Sequence, residues 1–248
     1  MILMYHNIGE KSSFNTISFL QFIKQMDYIR NSSNYQILNL DQYVANIVTP
    51  SINNALTITF DDGYTSLSTL VLPIIKNYEI PISIFIPTGH IGMHNAWDSK
   101  NGHPKINILN WEELCEISKE KLVTIGSHGF NHLSHGLLNE EKDYDEITKS
   151  KKELENKLVN EVKYYSFPYG QLKDIGKHSI NNLKKAGYKA ALSTIWSRRN
   201  SEKDMYHLNR LEIQETDDIN KFTNKLESKI DIKYFKQKLK NLICCIKM

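Results

Sequence analysis

The chain has 248 residues, with 31 Lys+Arg against 28 Asp+Glu, and is 40% hydrophobic. That balance excludes a disordered or collagen-like chain. With Arg confined to positions 30, 198, 199 and 210, it also argues against a nucleic-acid partner, whose phosphates favour dense Arg recognition. Cys115, Cys244 and Cys245 form neither a paired disulfide framework nor a C-x-x-C zinc site, so a metal would be held by carboxylates and some of the nine His.

In chain order, short runs rich in Ile, Val, Tyr and Phe predict strands over 2–5, 36–40, 56–60, 82–86, 122–126, 163–167, 188–193 and 208–213. Helix-period stretches between them predict helices over 18–31, 41–47, 66–78, 111–119, 140–158 and 175–186. Seven or eight such βα units in a chain of this length fit one distorted (β/α)7–8 barrel, TIM-like, better than an open sheet. A polar stretch, 88–110, is long for a connection and reads as a substrate-side flap. The barrel is expected to span 1–217 and a basic amphipathic helix and tail 218–248. In that helix Phe222, Leu226, Ile230, Phe235 and Leu239 line one face, and Lys221, Lys225, Lys229, Lys233, Lys236, Lys238 and Lys240 lie mostly elsewhere. The expected packing is on or beside the barrel, with peripheral contact to a membrane surface as the alternative use of the basic face.

No run approaches the roughly 20 apolar residues of a membrane span, and 1–7 lacks the basic and apolar regions of a secretory signal, so a cytoplasmic protein without stable membrane insertion is expected. Cys245 to Met248 formally fit the C-a-a-X prenylation pattern, but Lys247 is a poor aliphatic position, and lipidation is not expected.

Two strand ends concentrate chemistry. The run Thr57-Ile58-Thr59-Phe60 ends in Asp61-Asp62-Gly63-Tyr64, and in a parallel barrel catalytic groups stand at this C-terminal end. One acid can face a metal while the other faces a reacting water; the bland reading is a turn in which Asp62 or Thr65 caps the next helix. The strand Val123 to Ser127 runs into His128 and His132, which share a face if the chain turns helical at His128. Together the two strand ends describe a His-His-Asp site with an open position, the pattern of catalytic zinc. Pro168-Tyr169-Gly170 ends another strand in a turn that can aim a backbone N–H at an oxyanion. His6 ends the first strand and reaches the mouth only if that strand belongs to the barrel.

These motifs resemble the polysaccharide deacetylases, carbohydrate esterase family 4, over roughly 1–213. The resemblance rests on Thr59-Phe60-Asp61-Asp62-Gly63, the His128/His132 pair, Pro168-Tyr169-Gly170, and connecting text such as Leu72-Pro73-Ile74-Ile75 and Trp111-Glu112-Glu113-Leu114. It implies Asp61 as general base and Asp62, His128 and His132 as metal ligands. It also implies an oxyanion contact from the Tyr169 N–H. The family's late Leu-x-His motif is absent near the C-terminus; Leu3-Met4-Tyr5-His6 looks like it moved to the front, as in the circularly permuted branch that deacetylates poly-N-acetylglucosamine, which implies His6 as general acid. Ser166 stands where many members carry an Arg that orients the base, and Arg210 looks like its replacement from a neighbouring strand. Gly129 occupies a position usually held by Ser or Thr.

The resemblance implies amide hydrolysis on an N-acetylated saccharide with a divalent metal, Zn²⁺ foremost and Co²⁺, Ni²⁺ or Mn²⁺ as alternatives. Tyr64, Pro168, Trp97 and Trp196 are the expected substrate contacts. His135 reads as a solvated helix residue rather than a fourth ligand. His90, His94 and His103 read as loop residues near substrate, and Trp111 as packing. Competing readings are a non-catalytic glycan-binding relative, and a same-fold metal hydrolase acting on a non-sugar amide or an O-acetyl ester.

Overall fold

The computed structural model of the chain describes residues 1–227. The strands are β1 (Ile2–Tyr5), β2 (Asn7–Gly9), β3 (Thr16–Ser18), β4 (Gln36–Ile37), β5 (Ala55–Phe60), β6 (Ile82–Ile86), β7 (Val123–Ser127), β8 (Tyr164–Ser166), β9 (Ala190–Trp196) and β10 (Leu208–Glu212). The helices are α1 (Phe19–Asn31), α2 (Leu40–Ala45), α3 (Leu72–Tyr78), α4 (Ala96–Ser99), α5 (Trp111–Ser118), α6 (Glu140–Leu158), α7 (Ser179–Lys185) and α8 (Ile219–Glu227). Seven strands close a parallel barrel in the order β5-β6-β7-β8-β9-β10-β1, with β1 pairing both β10 and β5. The first strand therefore belongs to the barrel, and His6 follows it directly.

The eighth expected strand does not join the ring. Only Gln36 and Ile37 pair, against the start of β5, because an Asn39/Gln42 capping box turns the chain into α2 at Leu40. The helix expected over 66–78 is α3 preceded by a π-turn over Leu67–Val71. Pro73 offers no N–H to an unbroken i→i−4 ladder, which accounts for the irregularity. Elsewhere caps mark the boundaries: Ser18 begins α1, Asn110 with Glu113 begins α5, and Asn139 begins α6.

Strand alternation sorts the side chains. Ile58 and Phe60 of β5 point to the outer layer, where Phe60 packs against Tyr5 and, edge-on, against Phe22 of α1. Thr59 and Asp61 point into the barrel, where both bond Arg210. A second cluster, including Ile2, Phe85, Tyr164, Leu192 and Leu208 with Leu40 and Tyr43 of α2, fills the end away from the site. The apolar plug thus sits at the strand starts and leaves the strand ends to polar chemistry.

Phe222 and Leu226 of α8 are buried in the outer core, with Phe222 edge-on to Tyr28. The remainder of the expected basic helix, with Ile230, Phe235, Leu239 and the lysines from Lys229 onward, and the cysteines 244 and 245, lie outside the described residues. No helix among the described residues is long and apolar enough to cross a membrane.

Candidate active site

Asp61 and Asp62 diverge because the backbone turns sharply after β5. Asp62 and Gly63 both adopt left-handed φ, 71° and 67°, a costly conformation for Asp that the surrounding bonds must hold. Asp62 turns to the two histidines: its Oδ1 lies 3.5 Å from His128 Nε2 and 3.3 Å from His132 Nε2. Its Oδ2 accepts a hydrogen bond from the Tyr64 hydroxyl at 2.9 Å. Asp61 turns inward to Arg210.

The segment 128–132 is not the helical turn expected from the His spacing. It is an irregular loop in which Gly129 (φ 76°) and His132 (φ 56°) are left-handed. The two rings converge through those two reversals rather than through an i, i+4 face. Gly129 also explains a departure from the family pattern: a Cβ there would stand 3.0 Å from the Tyr165 hydroxyl on a backbone that L side chains avoid. His128 Nδ1 bonds the Ser166 carbonyl at 2.7 Å, which leaves Nε2 for the site. The indole of Trp97 stacks on His132 at 3.9 Å with 14° between planes.

One ligand atom from each of Asp62, His128 and His132 lies within 4.8 Å of the others, and all three residues are buried. A tetrahedral shell with bonds of about 2.0–2.2 Å spaces its ligand atoms about 3.3–3.6 Å apart, close to the Asp–His separations of 3.5 and 3.3 Å. The residues therefore fit a divalent ion. Burial would raise the Asp62 pKa, but bonds from His128 and His132 outweigh it and hold it well below the usual carboxylate range. Burial pushes His132 down to about 4, so this ring is neutral and able to ligate. Burial opposes charge on His128 too, but Asp61, then Asp62, raises its pKa.

Arg210 is fully buried and matches its five N–H donors to five contacts. Nε donates to the Ser193 carbonyl (2.7 Å), Nη1 to Thr59 Oγ1 (3.2 Å) and Asp61 Oδ1 (2.8 Å), and Nη2 to Asp61 Oδ2 (2.7 Å) and Ser166 Oγ (2.9 Å). Ser166 also donates to Asp61 Oδ2 at 3.2 Å. Burial favours the neutral acid at Asp61, yet the guanidinium overrides it and its pKa lies below the ordinary value.

These groups open on a cavity of about 220 Å³ lined by Asp61, Asp62, His128 and His132 together with His6, Trp97 and Tyr169. Tyr169 is 47% exposed, sits at φ 59°, and its N–H makes no backbone hydrogen bond among the described residues. Gln171 and Thr194 also line the cavity and bond each other at 2.7 Å.

Several expected contacts lie elsewhere. Tyr64 is fully buried, its ring packed with Trp97 and Ile108 and its hydroxyl committed to Asp62, so it offers no face to a sugar. Pro168 is buried beneath the Tyr169 turn, and Trp196 is packed in the outer core; neither lines the cavity. His135 is fully buried rather than solvated, with Nδ1 2.7 Å from Asp143 Oδ1 and Nε2 2.6 Å from the Tyr165 hydroxyl. Trp111 is half-buried against the core.

The stretch 88–110 is built into the molecule. The Asn95 side chain accepts from Ile106 N and donates to the Pro104 carbonyl, and bridges join Tyr64 to Ile108 and His94 to Asn107. Trp97 and Asp98 reach the cavity from it, His90 meets Trp97 edge-on, and His103 stacks on Phe14 at 3.6 Å. Sequence reasoning missed Phe14, Asp98 and Thr194, which line the cavity, because none belongs to a motif or a periodic face.

A closed parallel barrel thus carries at its strand ends a His-His-Asp cluster that could hold a metal ion and, beside it, a buried Asp–Arg pair. The profile of the polysaccharide deacetylase family matches residues 50–191, more than half of the chain, and the chain belongs to that family. It is 25% identical over 215 residues to YxkH of Bacillus subtilis, a protein named for the same family, covering 86% of this chain and 70% of that one. It is 24% identical over 242 residues to the poly-β-1,6-N-acetyl-D-glucosamine N-deacetylase of Staphylococcus aureus, with 87% and 79% covered. Among solved structures, the fold is shared with the Streptococcus pyogenes deacetylase PplD in complex with acetate, at TM-score 0.76, 18% identity and 91% and 97% coverage. It is shared likewise with IcaB from Ammonifex degensii, at TM-score 0.74, 21% identity and 86% and 91% coverage.

Proposed function

We propose that this chain is a metal-dependent deacetylase that hydrolyses the N-acetyl group of an amino sugar in a glycan or glycan precursor and releases acetate. The observation that carries the reading is the meeting, in one cavity, of three convergent ligand atoms with a separate buried carboxylate held by Arg210. Asp62, His128 and His132 would hold the ion. A His₂–Asp set suits Zn²⁺, with Co²⁺, Ni²⁺ or Mn²⁺ as substitutes, and such an ion, when bound, would supply Lewis acidity to a water and to the acetamide carbonyl.

The chain's own groups do the rest. Asp61, ionised and fixed by the guanidinium fork, takes the proton of the attacking water. The Tyr169 N–H donates to the carbonyl oxygen as that atom gains charge, a contact of the kind worth roughly a hundredfold or more in rate. His6 gives a proton to the departing amine. Phe14 and Tyr169, exposed aromatic rings on the cavity, suit the apolar face of a sugar. The Staphylococcus aureus relative's name points to β-1,6-linked N-acetylglucosamine polymers as the first substrate to try. Contact of the Lys-rich segment beyond residue 218 with an anionic membrane face belongs to the same proposal.

The test is acetate release by zinc-loaded protein from N-acetylglucosamine oligomers, N-acetylated nucleotide sugars, lipid-linked oligosaccharides and O-acetylated oligosaccharides. Release from at least one N-acetylated sugar is expected. Release from the O-acetylated set alone would replace the amidase reading with an esterase, and silence across the panel would favour a glycan-binding relative.

A further inference from the structure

Helix α6 runs outside the barrel, and its inward face is partly polar where a covering helix ordinarily carries an apolar stripe. Ile147 and Leu154 are buried there as expected, but so are Asp143, Glu146 and Ser150, at spacings of three and four that place them on one side. Each of the three engages the segment that carries the two histidine ligands or its direct continuation.

Glu146 makes the densest of these contacts. It is 7% exposed, and its Oε2 accepts from the backbone N–H of Phe130 at 3.1 Å and of Asn131 at 2.7 Å, while its Oε1 accepts from Asn131 Nδ2 at 2.5 Å. One turn further along, Ser150 Oγ lies 2.6 Å from Ser127 Oγ, which accepts from the Gly129 N–H at 3.3 Å. One turn before, Asp143 bonds His135, just past the loop.

The loop needs this support. It has no helical ladder of its own, it contains left-handed residues at Gly129 and His132, and the imidazole Nδ1 of His132 is buried with no hydrogen-bond partner among the described residues. His128 is oriented by a hydrogen bond to the Ser166 carbonyl, whereas the His132 ring, stacked on Trp97, has no such bond at Nδ1 among the described residues. Of the three amides between the ligands, 129, 130 and 131, Glu146 holds the last two and Ser127 the first.

We propose that Glu146 is the positioning residue of the metal centre: by clamping the Phe130 and Asn131 amides from outside the barrel, it fixes the distance between His128 and His132. The inference rests on the metal-site reading above. It assigns to α6, which contributes no ligand, the task of keeping two ligands in register.

The test titrates metal-free protein with Co²⁺, whose visible absorption reports coordination geometry, and with Zn²⁺ against a chromophoric chelator. Glu146→Gln keeps the shape but replaces an acceptor with a donor. The expected result is a 10- to 100-fold weaker Kd, the range typical of lost outer-shell partners, with an altered Co²⁺ spectrum. A purely structural role would lower the melting temperature and leave Kd and spectrum alone, so a Kd within twofold of wild type overturns the proposal whatever the stability. Asn131→Ala, at an exposed position, removes only the Oε1 bond and is expected to weaken Kd by about two- to tenfold. It carries the test if Glu146→Gln does not fold, and an unchanged Kd there overturns the proposal equally. Wild-type protein that binds neither metal would overturn the metal-site reading as well as this inference, whereas wild-type binding with unaltered variants would overturn this inference alone.

Discussion

Arg210→Met is the most informative single substitution. Methionine keeps much of the buried stem volume and removes the five donors, so among the described residues the Asp61 carboxylate, 1% exposed, retains only the Ser166 hydroxyl as a hydrogen-bond donor. Removing one partner of a buried ion pair leaves the other charge uncompensated and costs about 3–5 kcal/mol. For a chain of this length that is about 6–20 °C in melting temperature. The pH dependence has a definite sign. In the native protein the Asp61 pKa is depressed, so its stabilising contribution is present above the ordinary carboxylate value and is lost as pH falls through the lowered one. In the variant burial acts without the guanidinium, the pKa rises, and the deficit against wild type is largest at neutral pH and shrinks as acid neutralises the carboxyl. Denaturant melts at several pH values between 4 and 8 measure this directly. The double variant Asp61→Asn/Arg210→Met, which leaves no buried charge at either position, is expected to be more stable than Arg210→Met alone. A loss under about 1 kcal/mol, or a deficit that does not shrink toward acid, would refute the reasoning.

Other outcomes follow from the same geometry. Asp61→Asn is expected to keep metal binding and lose nearly all turnover, whereas His128→Ala loses both; metal titration beside an acetate assay separates them. Tyr64→Phe removes the 2.9 Å bond to Asp62 Oδ2 from an already buried ring, and is expected to weaken metal binding about tenfold with the far-UV spectrum unchanged. Burial alone would raise the Asp143 pKa, but bonds from His135, Ser179 and Asn182 depress it, so its contribution is present at neutral pH and lost as acid protonates it. Asp143→Asn is therefore expected to cost about 1–3 kcal/mol near pH 7 and less near pH 3, measured by urea melts. Stripping the protein with chelator should abolish acetate release, and zinc at about a hundred times Kd should restore it and add about 2.7 kcal/mol of stability.

The barrel was legible because parallel strands buried on both faces read as short apolar runs: Ile82 to Ile86 and the helix Glu140 to Leu158 have the expected bounds. The π-turn before α3 and the shrinkage of the strand at Gln36 were decided by a single proline and a capping box, which periodicity does not register. At the site, motif residues were visible and the structure gathers Asp61, Asp62, His128 and His132 together with His6, Tyr169 and Arg210. Their conformations were not visible: the His pair meets through left-handed backbone, and Tyr64 turns inward to Asp62 instead of out to substrate. His135 was misread because a buried polar network has no pattern in one dimension; its partners Asp143 and Tyr165 come from other elements.

The closure of the ring has a kinetic consequence. β1 pairs with β10 across nearly the whole described chain, Leu3 opposite Leu211. A growing polypeptide can pair β1 with β5 early, but the last gap stays open until the strand at 208 has emerged. Such long-range closure slows folding and leaves two unsatisfied strand edges exposed in the meantime, surfaces prone to intermolecular pairing. Because His6 and Arg210 flank that final seam, the cavity cannot be completed in a partly synthesised chain, and synthesis and refolding alike are expected to yield activity as their last event.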